Sequence, residues 1–163
     1  SALKTRGFEA LNLGDGVRAE AKRRNLEPSG DNLGKLMLEL REKNGPGAIA
    51  ELLTEPIKNS QSKVIIIDGV RSIAEIEVLK NVGSVKLLSI EATADTRYKF
   101  LSSRGRSDDP ATREKFEERD NRELGVGIGE SIAIADETIS NSDVTLDELT
   151  ELASKTIEKW IDT

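Results

Sequence analysis

The sequence predicts an α/β fold, a parallel sheet flanked by helices. Three observations carry this. Val64-Ile65-Ile66-Ile67 is an unbroken β-branched run that ends in Asp68-Gly69, the pattern of a short strand covered on both faces. Strand-like segments alternate along the chain with segments whose apolar residues recur at helical spacing, the order expected of βα units. Helix starts are marked: Ser72 with Glu75, and Thr145 with Glu148, are spaced as capping boxes. At 163 residues the chain reads as one domain, 1–163, large enough to bury a core. With 3% aromatic residues, that core is aliphatic.

The elements follow in order. Ser1 to Gly7 reads as the last turn of a helix, with Gly7 as its stop. Phe8 to Leu13 alternates as a strand does, and Gly14-Asp15-Gly16 leads into a helix from Val17 to Asn25 with Asp15 as candidate cap. Pro28-Ser29-Gly30-Asp31 is a turn. Leu33, Leu36, Met37 and Leu40 then form one buried helical stripe, and after the break at Asn44-Gly45-Pro46-Gly47, Ile49, Leu52, Leu53 and Ile57 form another, which Pro56 kinks or ends. After the strand at Val64–Asp68, Ile73, Ile76, Leu79 and Val82 give the next helix its buried face. Val85 to Ala92 is a strand, and Thr93 caps a helix from Ala94 to Ser103. Asp109-Pro110 signals a new helix start, ending at Gly125-Val126-Gly127-Ile128-Gly129. Glu130 to Ala135 is a short helix, Glu137 to Asn141 a last strand, and Leu146, Leu149, Ala153, Ile157 and Trp160 the buried stripe of a final helix.

Composition restricts the chemistry. The chain has no Cys and no His, which excludes disulfides, thiol nucleophiles, imidazole bases and ordinary zinc sites. The tools left are carboxylates, Lys, Arg, hydroxyls, the backbone and a hard metal. A net charge of −6 argues against a nucleic-acid-binding face, and hence against an RNA-associated protein. No apolar run approaches a membrane span and no signal peptide is visible, so a cytoplasmic location without membrane partners is expected.

Asp68 lies at the carboxyl end of a strand, where ligands bind in open α/β sheets. It is placed to hold a hydrated Mg²⁺ against phosphates, with Arg71 placed to pair with a phosphate. The competing reading is that Asp68-Gly69 only turns the chain and Arg71 is a surface charge. Arg18, beside the Gly14-Asp15-Gly16 turn, points toward the same edge, whereas Lys22 to Arg24 reads as a solvated face. Gly30 to Lys35 is not a phosphate loop, because its spacing is one residue short, Leu36 replaces the Ser/Thr, and it lies inside an amphipathic helix. Gly125-Gly127-Gly129 is not a dinucleotide fingerprint but a connection.

Together these segments acquire a resemblance. Gly14-Asp15-Gly16-Val17-Arg18 resembles the Gly-Asp-x-x-Arg segment of adenylate kinases and related nucleoside monophosphate kinases. Ile67-Asp68-Gly69-Val70-Arg71 resembles their Asp-Gly-x-x-Arg segment, and Arg106-Ser107-Asp108-Asp109-Pro110 their lid edge. Ala135-Asp136 through Ile139 and Asn141 resembles the end of dephospho-coenzyme A kinases. Over essentially the whole chain, the match is to archaeal adenylate-kinase-related P-loop proteins. The resemblance implies a P-loop kinase-like sheet with a helical acceptor-binding insertion at about 16–60 and a short lid at about 103–125. It implies that Gly14, Asp15, Arg18, Gly69 and Arg71 bind the acceptor phosphate and that Asp68 lies near Mg²⁺. Arg104, Arg106, Arg119 and Arg122 would be catalytic, closing over the transferring phosphoryl group from ATP. For Arg113, Arg119 and Arg122, pairing with neighbouring Glu on a solvated helix competes with that role. The acceptor would be AMP, another nucleoside monophosphate or dephospho-coenzyme A. The alternative is a non-catalytic nucleotide-binding or interaction module.

The departure from that pattern is at the start. The resembling chains open with a strand, a Gly-x-x-x-x-Gly-Lys-Ser/Thr loop and a helix, which cradle the donor phosphates. About one strand–loop–helix unit of that kind is lacking in these 163 residues. Its strand would lie between Val64–Asp68 and Val85–Ala92. These 163 residues are therefore expected not to turn over ATP.

Overall fold

The computed structural model describes residues 7–162. The helix end expected at Ser1 to Arg6 lies outside them. The elements run β1 (Glu9–Asn12), α1 (Leu13–Arg23), α2 (Gly30–Asn44), α3 (Ala48–Glu51), α4 (Thr54–Asn59), β2 (Ile65–Asp68) and α5 (Ile73–Lys80). They continue with β3 (Leu88–Glu91), α6 (Ala94–Arg104), α7 (Arg113–Gly125), α8 (Ile128–Ala133), β4 (Glu137–Ser140) and α9 (Leu146–Ile161). All strand pairing is parallel, and helices flank the strands, as the alternation of patterns predicts and as in a P-loop kinase-like fold.

The strands form two pairs rather than one continuous sheet. β1 lies beside β2, with Glu9 opposite Ile65 and Asn12 opposite Asp68. β3 lies beside β4, with Leu88 opposite Glu137 and Glu91 opposite Ser140. Among the described residues no hydrogen-bonded ladder joins β2 to β3. This corrects the expectation that the Val64–Ile67 run is covered on both faces: Ile65, Ile66 and Ile67 are only half-buried, and Ile90 of β3 is exposed.

The core sits under α1, α2, α3 and α5. Leu13, Val17 and Ala21 from α1 meet Leu33, Leu36 and Leu40 from α2, Ala48, Ile49 and Ala50 from α3, and Leu53 and Leu79. Leu11 of β1 and Ile67 of β2 pack against this cluster and tie the first strand pair to it. The β4–α9 side is thinner. Ala153 is buried, but Leu146 at the start of the predicted α9 stripe is 77% exposed.

Three helix starts differ from the sequence expectation, each for a local reason. α1 begins at Leu13 because Asn12, not Asp15, is its cap, the Asn12 Oδ1 accepting the Asp15 N–H at 3.2 Å. α7 is capped by Thr112, whose side chain accepts from Lys115 N–H, because Asp109 is committed to Arg104 and to the Arg106 N–H. Pro56 does not end its helix; the chain breaks before it, and Pro56 falls in the first turn of α4, where its missing N–H costs nothing. Both predicted capping boxes, at Ser72 and Thr145, are formed.

Candidate functional site

The parallel register brings Asn12 and Asp68 side by side at the carboxyl ends of β1 and β2, and Asn12 Nδ2 donates to Asp68 Oδ2 at 2.9 Å. Gly69 then takes φ +90°, a conformation that favours glycine, and turns the chain toward α5. Arg71 folds back over this turn. Its Nη1 donates to the Gly69 carbonyl, and its Nε pairs with Glu123 of α7 at 2.9 Å.

Behind Arg71 lies Glu75, 1% exposed. One carboxylate oxygen accepts the N–H groups of Arg71 at 2.7 Å and Ser72 at 3.1 Å, and the other accepts from Arg41 Nη2 at 3.0 Å. The buried carboxylate therefore pins the backbone of Arg71 while capping α5. Arg41 Nε is buried without a partner among the described residues.

Arg18 projects from α1 between Asp15 at 2.6 Å and Asp108 at 2.8 Å. Burial opposes its charge, but hydrogen bonding and attraction to Asp108 and Asp15 prevail, and its pKa is raised further. Gly14 leaves room for this arrangement, since a Cβ there falls 3.1 Å from Arg18 Nη1.

The predicted lid edge follows α6, which Gly105 ends at φ +77°. Asp109 ties Arg104 and the Arg106 N–H together. Burial would raise its pKa, yet the hydrogen bonds from Arg104 and Arg106 and nearby positive charge hold it below the ordinary carboxylate value. α7 is fastened to α6 by Phe116 against Tyr98, edge to face at 5.5 Å, and by Arg97, which lies over Phe116 and pairs with Asp120.

These elements enclose a cavity of about 540 Å³. Of the predicted site residues, Gly14, Arg18, Asp68, Gly69, Arg71, Arg104, Arg106, Arg119 and Arg122 all line it; Asp15 stands behind Arg18. Residues more than 80 positions apart thus meet at one place.

The AAA domain family matches residues 1–117. A UPF0200 protein of Pyrococcus abyssi is 40% identical over 147 residues, covering 87% of this chain and 79% of that protein. One of Hyperthermus butylicus is 35% identical over 159 residues, covering 98% and 85%. One of Methanothrix thermoacetophila is 41% identical over 157 residues, covering 94% and 85%. This chain belongs to the UPF0200 family. Its AAA domain makes it a P-loop NTPase-like protein, a class that binds nucleoside triphosphates with Mg²⁺. No helix among its described residues is long and apolar enough to cross a membrane.

In the UPF0200 chain most cavity arginines are held by carboxylates of the segment 108–123. Asp108 holds Arg18, Asp109 holds Arg104, Asp120 holds Arg97, and Glu123 reaches both Arg71 and Arg119. The side chains of Arg106 and Arg122 make no ion pair or hydrogen bond among the described residues. Planar guanidinium groups with free donors suit phosphate, which accepts paired N–H groups. For Mg²⁺, Asp68 offers one exposed carboxylate, with a single oxygen engaged by Asn12. No cluster of three acidic side chains suited to a metal occurs among the described residues. That donor set fits an ion that takes one or two protein carboxylates and completes its shell with phosphate and water.

Sequence reasoning missed Arg41, Arg97, Asp120 and Glu123. Arg41 was the most legible of these: it borders the Leu33–Leu40 stripe, an unusual place for a solvated charge. Glu75 was recognised as a cap but not as the group that holds Arg71.

Proposed function

We propose that this UPF0200 chain takes part in ATP-dependent phosphoryl transfer to a nucleotide or nucleotide-like acceptor. The observation that supports it best is the convergence of Arg18 and Arg71, from two separate strand–helix turns, on one cavity with Asp68. In this reading Arg18 and Arg71 grip the acceptor phosphate, with Gly14, Asp15 and Gly69 shaping the turn around it. Arg104, Arg106 and Arg122 neutralise the transferring phosphoryl group, and Arg119 holds the lid. Asp68 would hold Mg²⁺, which would supply positive charge to offset that of the phosphates. Such chemistry needs positioning and charge neutralisation rather than a covalent nucleophile, which suits a chain with no Cys or His.

Residues 1–163 contain no Gly-x-x-x-x-Gly-Lys-Ser/Thr loop. We place the donor site at the free edges of β2 and β3, where an added strand and phosphate loop would complete the sheet. The unpaired edges and half-buried Ile65–Ile67 support this. A second reading, a nucleotide-binding module without turnover, is favoured by the carboxylates that already hold Arg18, Arg71 and Arg104. Titrating AMP and ATP into the chain, then assaying it with a strand–phosphate-loop–helix segment joined ahead of residue 1, separates them. The kinase reading predicts AMP binding by the 163 residues, no ATP turnover by them alone, and phosphorylation of the acceptor once the segment is joined. Binding without turnover in both forms supports the module. No nucleotide binding in either form contradicts both.

A further inference from the structure

Gly30 and Gly34, one turn apart on the same face of α2, have no role in the reading above. A Cβ built on Gly30 falls 3.2 Å from the carbonyl oxygen of Asp108. One built on Gly34 falls 2.7 Å from Arg122 Cζ, 3.3 Å from its Nε and closer still to Nη1. The guanidinium of Arg122 therefore lies directly on the bare Cα of Gly34. Among the described residues no carboxylate holds it there, in contrast to Arg18, Arg71, Arg97, Arg104 and Arg119. What fixes Arg122 is shape, and its charge is left unspent beside the cavity it lines.

We infer that Gly34 is a positioning residue for Arg122, and that with Gly30 it forms the face of α2 on which the segment 108–122 closes. This rests on the reading of the cavity as a phosphate site and names how one of its cations is set. The reasoning is chemical. An arginine clamped by a carboxylate must exchange that partner before it binds phosphate, whereas one seated on a glycine presents its donors without exchange. A side chain at position 34 meets the far end of a long flexible residue, which moves at little cost to folding. Within a helix, Ala is also the better helix former. Stability and ligand affinity should therefore move in opposite directions at this position, which a merely structural glycine would not produce.

The test uses the full 163-residue chain with Gly34→Ala, Arg122→Ala and the double variant, titrated calorimetrically with AMP and with inorganic pyrophosphate. Gly34→Ala is expected to melt no lower than the parent yet bind both probes about tenfold more weakly. The double variant is expected to bind no worse than Arg122→Ala alone, because both changes remove the same contact. Parent-like binding by Gly34→Ala beside a weakened Arg122→Ala overturns the positioning role and leaves the phosphate site standing; additive losses in the double variant also overturn it. If the parent binds neither probe, the phosphate-site reading fails. The seat is then decided by backbone hydrogen exchange over residues 106–122, expected to quicken in Gly34→Ala and refuted by an unchanged pattern.

Discussion

Glu75 illustrates how one buried side chain organises the site. Its carboxylate accepts two backbone N–H groups and one guanidinium N–H while 1% exposed. Glu75→Gln would leave the Arg41 charge buried without its counter-ion, a loss of about 3–5 kcal/mol. Urea denaturation is expected to show that loss, and nucleotide affinity to fall with it because Arg71 loses its backbone anchor. Glu20 makes a pH-dependent contribution. Hydrogen bonds from Arg23 and Arg24 lower its pKa from 4.5 to about 2. A carboxyl depressed in the folded state contributes stability that is full above pH 4.5 and is lost as pH falls to about 2. Glu20→Gln is expected to lower stability at neutral pH and to flatten acid unfolding across that window, as followed by circular dichroism.

At the scale of elements, the segment 108–123 holds the cavity arginines with its own carboxylates, which occupy donors that a bound phosphate would use. Glu123 is shared by Arg71 and Arg119, so Glu123→Gln frees two cations at once. Pyrophosphate binding is expected to tighten by several-fold, with Arg71→Ala abolishing the gain. The helices themselves depend on the aliphatic stripes read from the sequence. Leu36, 2% exposed on α2, is expected to cost about 2–5 kcal/mol when cut to Ala, seen as a lowered melting temperature. These stripes and both capping boxes were legible because their spacing is a local property. The caps of α1 and α7 were not, because Asn12 and Thr112 won positions that Asp15 and Asp109 left on pairing with Arg18 and Arg104. Gly34 was legible only as a failed phosphate-loop match; its fit under Arg122 is set by an approach across 88 positions of chain that spacing does not reveal.

At the scale of the molecule, the two parallel strand pairs carry the fold class that the alternating pattern predicts, and the convergence of Arg18, Asp68, Arg71 and the lid arginines follows from it. The covering on both faces expected of Val64–Ile67 did not follow, nor the burial of Leu146 in the α9 stripe, because burial depends on which elements lie alongside, and among the described residues β2 and β3 are not paired with each other. Calorimetric titration of AMP into the parent, Arg18→Ala and Arg71→Ala chains tests the shared phosphate site most directly. One AMP bound per parent chain, with each substitution weakening it at least tenfold and neither lowering the melting temperature by more than a few degrees, is the predicted result. AMP binding of equal strength in all three, or none in the parent, would contradict it.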